Sequence, residues 1–162
     1  MSLLNLGSSK NGNPIRSKWD RLHRLPGGKA LFSKLIGKFA PYSGTIDAKI
    51  VDLGPGFAKV EMRDQKKVRN HLNSIHAIAL MNLGEIATGL ATLYALPDDA
   101  KAIIVKLSIE YKKKARGLLT ALCDGQPIMT NERKAYEFIA DIKDESGDVV
   151  ASVTANWLIG PK

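Results

Sequence analysis

In the stretch RNHLNSIHAIALMNLGE, residues 69 to 85, few side chains are able to do chemistry. Asn70, Asn73, Ser74 and His76 gather ahead of an apolar run, and Glu85 stands alone inside it. A carboxylate in apolar surroundings is costly unless paired, hydrogen-bonded or protonated, so Glu85 needs either a partner or a function, such as a general base. The first amides of a helix starting after His76 have no intrahelical acceptor. The amide of Ala77 is the donor placed to steady an oxygen that gains negative charge, as a thioester carbonyl does in acyl transfer. The alternatives at these two places are an ion pair at Glu85 and a plain helix cap by Asn73 or Ser74.

Within the helix expected after His76, Asn82, Glu85, Thr88 with Gly89, and Thr92 fall on one narrow stripe of polar and small residues. The rest of AIALMNLGEIATGLATLYAL is apolar on nearly every side, which marks a helix enclosed by protein. At ~1.5 Å per residue His76 and Glu85 lie roughly 13 Å apart and about half a turn out of phase. They cannot meet within one chain. If both serve one reaction, a second protomer related by a twofold axis must bring its Glu85 to this protomer's helix start.

The elements that must position these residues follow from periodicity. After Pro26, Gly27 and Gly28, KALFSKLIGKF puts Leu31, Phe32, Leu35, Ile36 and Phe39 on one face of a short helix and Lys29, Lys34 and Lys38 largely on another. Two strands are expected next, with Ile46, Ala48 and Ile50 alternating against polar neighbours, then Ala58, Val60 and Met62, joined by a turn at 54–56. Beyond the long helix come four strand-like runs: IIVKLSIEY, GLLTALCD, AYEFIADIKD and VVASVTANWLI, separated by ARG, DGQP and ESGD turns. The first of them sets Ile103, Val105, Leu107, Ile109 and Tyr111 on one face. An α+β domain in which one antiparallel sheet wraps a single central helix satisfies this order, whereas a doubly wound parallel sheet needs several more helices. Residues 1 to 18 read as flexible or loosely docked, with order starting near Trp19. The division expected is therefore a flexible basic lead-in over 1–27 and one domain over 28–162.

At 162 residues the chain suits one domain. No continuous apolar run reaches the ~18 residues of a membrane span, so stable insertion is not expected. Cys123 is the only cysteine, which excludes an intrachain disulfide and a cysteine-rich zinc site and points to core packing. The opening MSLLNLGSSKNGNP lacks the apolar core and cleavage site of a secretory signal, so a cytoplasmic location is expected. The net charge of +8 is concentrated in residues 1 to 46, which hold eight Lys or Arg against Asp20 alone. Such an arm suits a phosphate-bearing ligand or an acidic surface, or is a solvated face. With aromatics at 6% and no recognition motif, nucleic acid is not an expected partner.

Asn70, with His76 six residues on and Glu85 nine further, in NHLNSIHAIALMNLGEIATG, is backed by YKKKARG at 111–117. Together they resemble the hotdog-fold thioesterases, in particular the phenylacetate-pathway (PaaI-like) type and a related, poorly characterised branch, over residues 28 to 159. The resemblance implies a hotdog fold, a dimer or tetramer, and an acyl-CoA thioester held between subunits and hydrolysed by water, without metal or cofactor. It further implies that Asn70 and His76 orient the thioester or the water, that the Ala77 amide polarises the carbonyl, and that Glu85 acts as general base or nucleophile. Asn82, Thr88 and Gly89 are then expected to contact the substrate. Arg69, Lys112, Lys113, Lys114 and Arg116 are candidates for the coenzyme A phosphates, the alternative being a solvated hairpin. Two departures matter: the family's usual His-Gly-Gly is here His76, Ala77, Ile78, and its usual aspartate is Glu85. The first departure favours a non-catalytic acyl-CoA or lipid binder as a second reading. A hydroxyacyl dehydratase is a third, since His71 and Glu85 are fourteen apart, although the proline-rich segment usual after that histidine is replaced by LNSIHA.

Overall fold

A helix that is apolar around its whole circumference has to be enclosed, and in the computed structural model, which describes residues 12–162, a single sheet does so. Three helices precede the sheet: α1 (Pro14–Leu22), α2 (Gly28–Phe39) and the short α3 (Pro41–Gly44). Strands β1 (Lys49–Gly54) and β2 (Phe57–Met62) lead to the long α4 (Ala77–Ala95), and β3 (Ala100–Tyr111), β4 (Leu119–Asp124), β5 (Lys134–Lys143) and β6 (Val149–Pro161) complete the chain. All neighbouring strands are antiparallel in the order β1-β2-β4-β5-β6-β3, and α4 touches every one of them. The expected sheet wrapped around one helix is therefore what forms.

Alternation supplies the inner face: Val60 and Met62 of β2, Leu119 and Ala121 of β4, Ala140 and Ile142 of β5, and Val153 and Ala155 of β6 are buried against Leu83, Ala87 and Leu90 of α4. Small residues let the helix sit deep. At Gly84 a Cβ would lie 2.3 Å from Val153 Cγ2, so only glycine lets α4 approach β6 this closely, and that depth fixes where the next residue, Glu85, emerges. Cys123 is buried in this core as expected, and burial pushes its thiol up to about 12, where it is inert.

Three expectations need correction. The first concerns the lead-in. Residues 1–11 lie outside the described residues, but from Asn13 onward the segment is folded: α1 buries Ile15 and Trp19, and Trp19 meets Phe32 of α2 edge-on at 5.1 Å. Ile15, Trp19 and Leu22 recur with helical spacing, but the basic residues between them mask the pattern. Asn13 joins two helix ends. Its Oδ1 accepts from the amides of Ile15 (3.1 Å) and Arg16 (3.2 Å), while its Nδ2 donates to the carbonyls of Leu93 (2.6 Å) and Leu96 (3.0 Å) at the end of α4.

The second concerns β1, which starts at Lys49 rather than Ile46, because Asp47 takes the left-handed conformation (φ 49°) and interrupts extension. A bulge between Ile50 and Asp52 then turns Ile50 and Leu53 inward together. The third is the apolar face of β3. A bulge between Ile104 and Lys106 breaks its alternation, so that Leu107 and Ile109 pack against the core while Ile103, Val105 and Tyr111 of this edge strand are 45%, 53% and 51% exposed. By length and composition α4 does suffice to cross a membrane, contrary to the run-length expectation, but most of it is buried by its own sheet.

Candidate functional site

Glu85 projects from the middle of α4 into a groove of about 460 Å³ between α4, the α2–α3 junction and β3. Phe39, Tyr42, Ile78, Met81, Asn82 and Leu107 line it. No described residue offers the carboxyl a hydrogen bond or a salt bridge, so the ion pair considered for it is not made among the described residues. Desolvation is the cause that raises its pKa from the ordinary 4.5 to about 7. A carboxyl poised near neutrality in an apolar groove can carry a proton away from water and give it back.

The helix start is built differently from either capping alternative. His76 itself is the N-cap of α4, its Nδ1 accepting from the Ile78 amide at 3.1 Å, while its own amide donates to the Val68 carbonyl at 2.7 Å. An Nδ1 that accepts is unprotonated, so the neutral ring carries its proton on Nε2. The cap consumes the second amide and leaves that of Ala77 without an acceptor among the described residues. Tyr111 at the end of β3 donates its hydroxyl to the Ala77 carbonyl at 3.2 Å and so ties the sheet to this turn.

Asn70 organises the loop before it. Its Oδ1 accepts from the amides of Leu72 (2.9 Å) and Ser74 (3.3 Å) and from the Ser74 hydroxyl (3.2 Å), and its Nδ2 is uncommitted. Asn73 accommodates the left-handed bend (φ 51°) that the loop requires. YKKKARG packs beside this loop, with the Ile75 amide donating to the Ala115 carbonyl at 2.9 Å and Arg116 Nε to the Asn73 carbonyl at 3.1 Å. Asn70 thus shapes the loop that leads into His76 and Ala77 at the start of α4. Glu85 lies along the helix in the adjoining groove; Tyr42, Ile78 and Asn82 form the wall common to it and to a shallower hollow that His76, Arg69 and Lys67 line.

The polar stripe separates into two parts. Asn82 reaches the Tyr42 carbonyl at 3.4 Å and lines the groove. Thr88 and Thr92 are fully buried and bond back to the helix carbonyls of Glu85 (3.1 Å) and Thr88 (2.9 Å), and Gly89 is buried with them. In the free chain Thr88 and Gly89 belong to the core instead of the groove.

The cations also divide. Lys113 bridges Asp144 at 2.7 Å and Asp148 at 2.6 Å, and Arg69 pairs with Asp64 at 2.6 Å, an interaction that holds the Asp64 carboxyl below its usual range. Lys112 and Lys114 are exposed and make no ion pair with a described residue. His71 is exposed on the loop and lines none of these hollows. Residues the sequence reading missed are Tyr42 and Phe39, which form a wall of the groove, and Ile15 behind them. The proline that initiates the PYSG turn was the available signal for Tyr42.

An antiparallel sheet curled around one long helix, with a lone carboxyl in the groove and a capped helix start beside it, makes this a hotdog-fold protein. The chain belongs to the family described as Domain of unknown function (DUF4442), whose model matches residues 28–159. No curated protein matches its sequence. Among solved structures it is similar to the structural-genomics protein APC5556, at 28% identity and a TM-score of 0.80 over 91% of this chain and 99% of that one. It is also similar to thioesterase HI1161 from Haemophilus influenzae, at 15% identity and TM-score 0.69 over 82% of this chain and 90% of the other. A mutant of the phenylacetic acid degradation protein PaaI from Thermus thermophilus matches at 18% identity and TM-score 0.63, over 73% of this chain and 97% of that one. The last two likenesses establish the shared fold.

Proposed function

We propose that the protein hydrolyses an acyl-CoA thioester to a free acid and coenzyme A, at sites shared between two protomers. The observation that carries the reading is Glu85: an unpaired carboxyl held near neutrality in an apolar groove. In the reaction Glu85 of one protomer takes a proton from water as the water oxygen bonds to the thioester carbon. The carbonyl oxygen, gaining charge, accepts from the Ala77 amide of the other protomer, and His76 Nε2 and Asn70 Nδ2 orient the reactants. The C–S bond then breaks, the sulfur takes up the proton from Glu85, and acid and thiol leave. The exposed apolar residues Ile103, Val105 and Tyr111 along β3, an edge strand among the described residues, support a second copy as the neighbour that completes the site. The chemistry of HI1161 and PaaI as thioesterase and phenylacetic acid degradation protein agrees with the reading. A cytoplasmic location fits an acyl-CoA substrate.

Thiol release across a panel of acyl-CoAs tests the activity. Binding without release in every case would make the protein a carrier, a reading favoured by Ile78, which stands 50% exposed at the groove mouth. Hydration of an enoyl-CoA would instead assign a dehydratase. Shared sites are tested by mixing Glu85→Gln with His76→Ala protein: random exchange in a dimer restores one intact site in half the molecules, about a quarter of wild-type turnover. No recovery after verified exchange would place both residues' work within one chain.

A further inference from the structure

Behind Glu85 lies a second, smaller hollow that the reaction scheme does not use. It lies between α1, α2, α3 and α4, holds about 20 Å³, and presents only apolar atoms to its interior. Phe39, Ala40, Ser43 and Glu85 border both this hollow and the outer groove, and the far end is formed by Ile15 of α1 and Leu93 of α4. A cavity of this size without polar partners stays dry, so an apolar ligand atom entering it displaces no bound water. We infer that the acyl chain of the substrate is a linear aliphatic one, that it runs past Phe39 into this hollow, and that Ile15 is the end stop that sets its length.

Three observations converge on α1 as the measuring element. The hollow shares the wall of Phe39, Ala40, Ser43 and Glu85 with the groove around the reacting carboxyl, so a chain whose carbonyl lies at Glu85 enters it by displacing the Phe39 side chain from that wall. α1 is locked in place at the end of α4 by Asn13, and Lys18 of the same helix stands over the Phe39 ring at 4.9 Å, so the end stop and the entrance are held by one element. α1 also lies outside residues 28–159, the part of the chain that the family model matches. A hollow of about 20 Å³ admits the terminal methyl or methylene of a narrow chain, whereas an aromatic ring has to remain in the outer groove. The inference rests on the thioesterase reading for the position of the carbonyl.

The test compares kcat/KM for linear acyl-CoAs of even length from butyryl to palmitoyl, and for phenylacetyl-CoA, in the wild type, Ile15→Ala and Ile15→Val. The linear series is expected to show an optimum and to exceed phenylacetyl-CoA. Ile15→Ala is expected to move the optimum at least two carbons longer, with about a tenfold gain for that chain relative to the wild-type optimum. Ile15→Val, one carbon smaller and compatible with an intact α1, moves it the same way by less. A profile scaled equally at all lengths in both variants, or a preference for phenylacetyl-CoA, would overturn the inference while leaving hydrolysis intact. Calorimetric binding of non-hydrolysable alkyl-CoA thioethers to the same proteins separates the two readings. Length-dependent binding that Ile15 controls, in a protein that releases no thiol, would keep the end stop and discard the thioesterase. Binding insensitive to both length and Ile15 would discard the end stop.

Discussion

Asn13 donates to the carbonyl of Leu93 at 2.6 Å, and through this bond one buried amide ends the central helix and begins the first one. Its Oδ1 and Nδ2 are both committed, so truncation leaves donors and acceptors at two helix termini without partners. Asn13→Ala is expected to lower stability by about 1–3 kcal/mol in urea unfolding, and to release α1 before the sheet in hydrogen exchange. Uniform exchange with unchanged stability would show that α1 is held by Ile15 and Trp19 alone.

Glu85 sets a pH dependence in both stability and activity. Its carboxyl titrates near 4.5 when unfolded and at about 7 when folded, so between these values the folded chain keeps a proton the unfolded chain has lost. Stability is therefore greatest below the lower value and falls as pH rises to the upper one. Removing the charge with Glu85→Gln is expected to stabilise the protein by roughly 1–3 kcal/mol at about pH 8 and by little at about pH 4, allowing for the solvent that reaches the groove. Denaturant midpoints at the two pH values check this.

For catalysis the sign reverses, because the working form is the carboxylate. The kcat/KM of the wild type is expected to rise with pH to a plateau, with an apparent pKa of about 7. Glu85→Gln is expected to fold, assemble and lose about 10²-fold or more in turnover. A flat profile, or retained turnover in the variant, would reduce Glu85 to a structural residue.

His76 is expected to matter more than His71. It caps α4 next to Ala77 and lines the hollow beside the groove, whereas His71 is exposed and lines neither. His76→Ala should cost about 10²-fold in kcat and His71→Ala little, as measured by thiol release. The reverse order would favour the dehydratase.

Coenzyme A phosphates should be read by Lys112 and Lys114, which make no ion pair among the described residues. Lys112→Ala with Lys114→Ala is expected to raise KM several-fold and to flatten its rise with ionic strength, while kcat changes little, since exposed contacts are screened over about 8 Å in physiological salt. Lys113→Ala should do less, because Asp144 and Asp148 already occupy its ammonium. Equal effects from all three lysines would mean that the acidic pair gives way to the ligand.

The sequence by itself determined the wrapped architecture. An all-apolar helix flanked by alternating strands admits few enclosures, and periodicity is a local property that survives without coordinates. Glu85 was legible as a charge inside an apolar run, and Asn70 and His76 as polar residues ahead of it, since types and spacings are local as well. Tertiary structure decided the rest. Thr88 belongs to the core because its hydroxyl finds a helix carbonyl, which the stripe pattern cannot distinguish from a ligand contact. Lys113 is neutralised by residues 31 and 35 positions away, and α1 is ordered by an asparagine whose partners lie 80 or more residues distant. Pairing between distant residues depends on how the chain closes on itself, and no local pattern records it. For the same reason the hollow behind Glu85 is absent from the sequence: its walls come from four helices that meet only when the fold is complete.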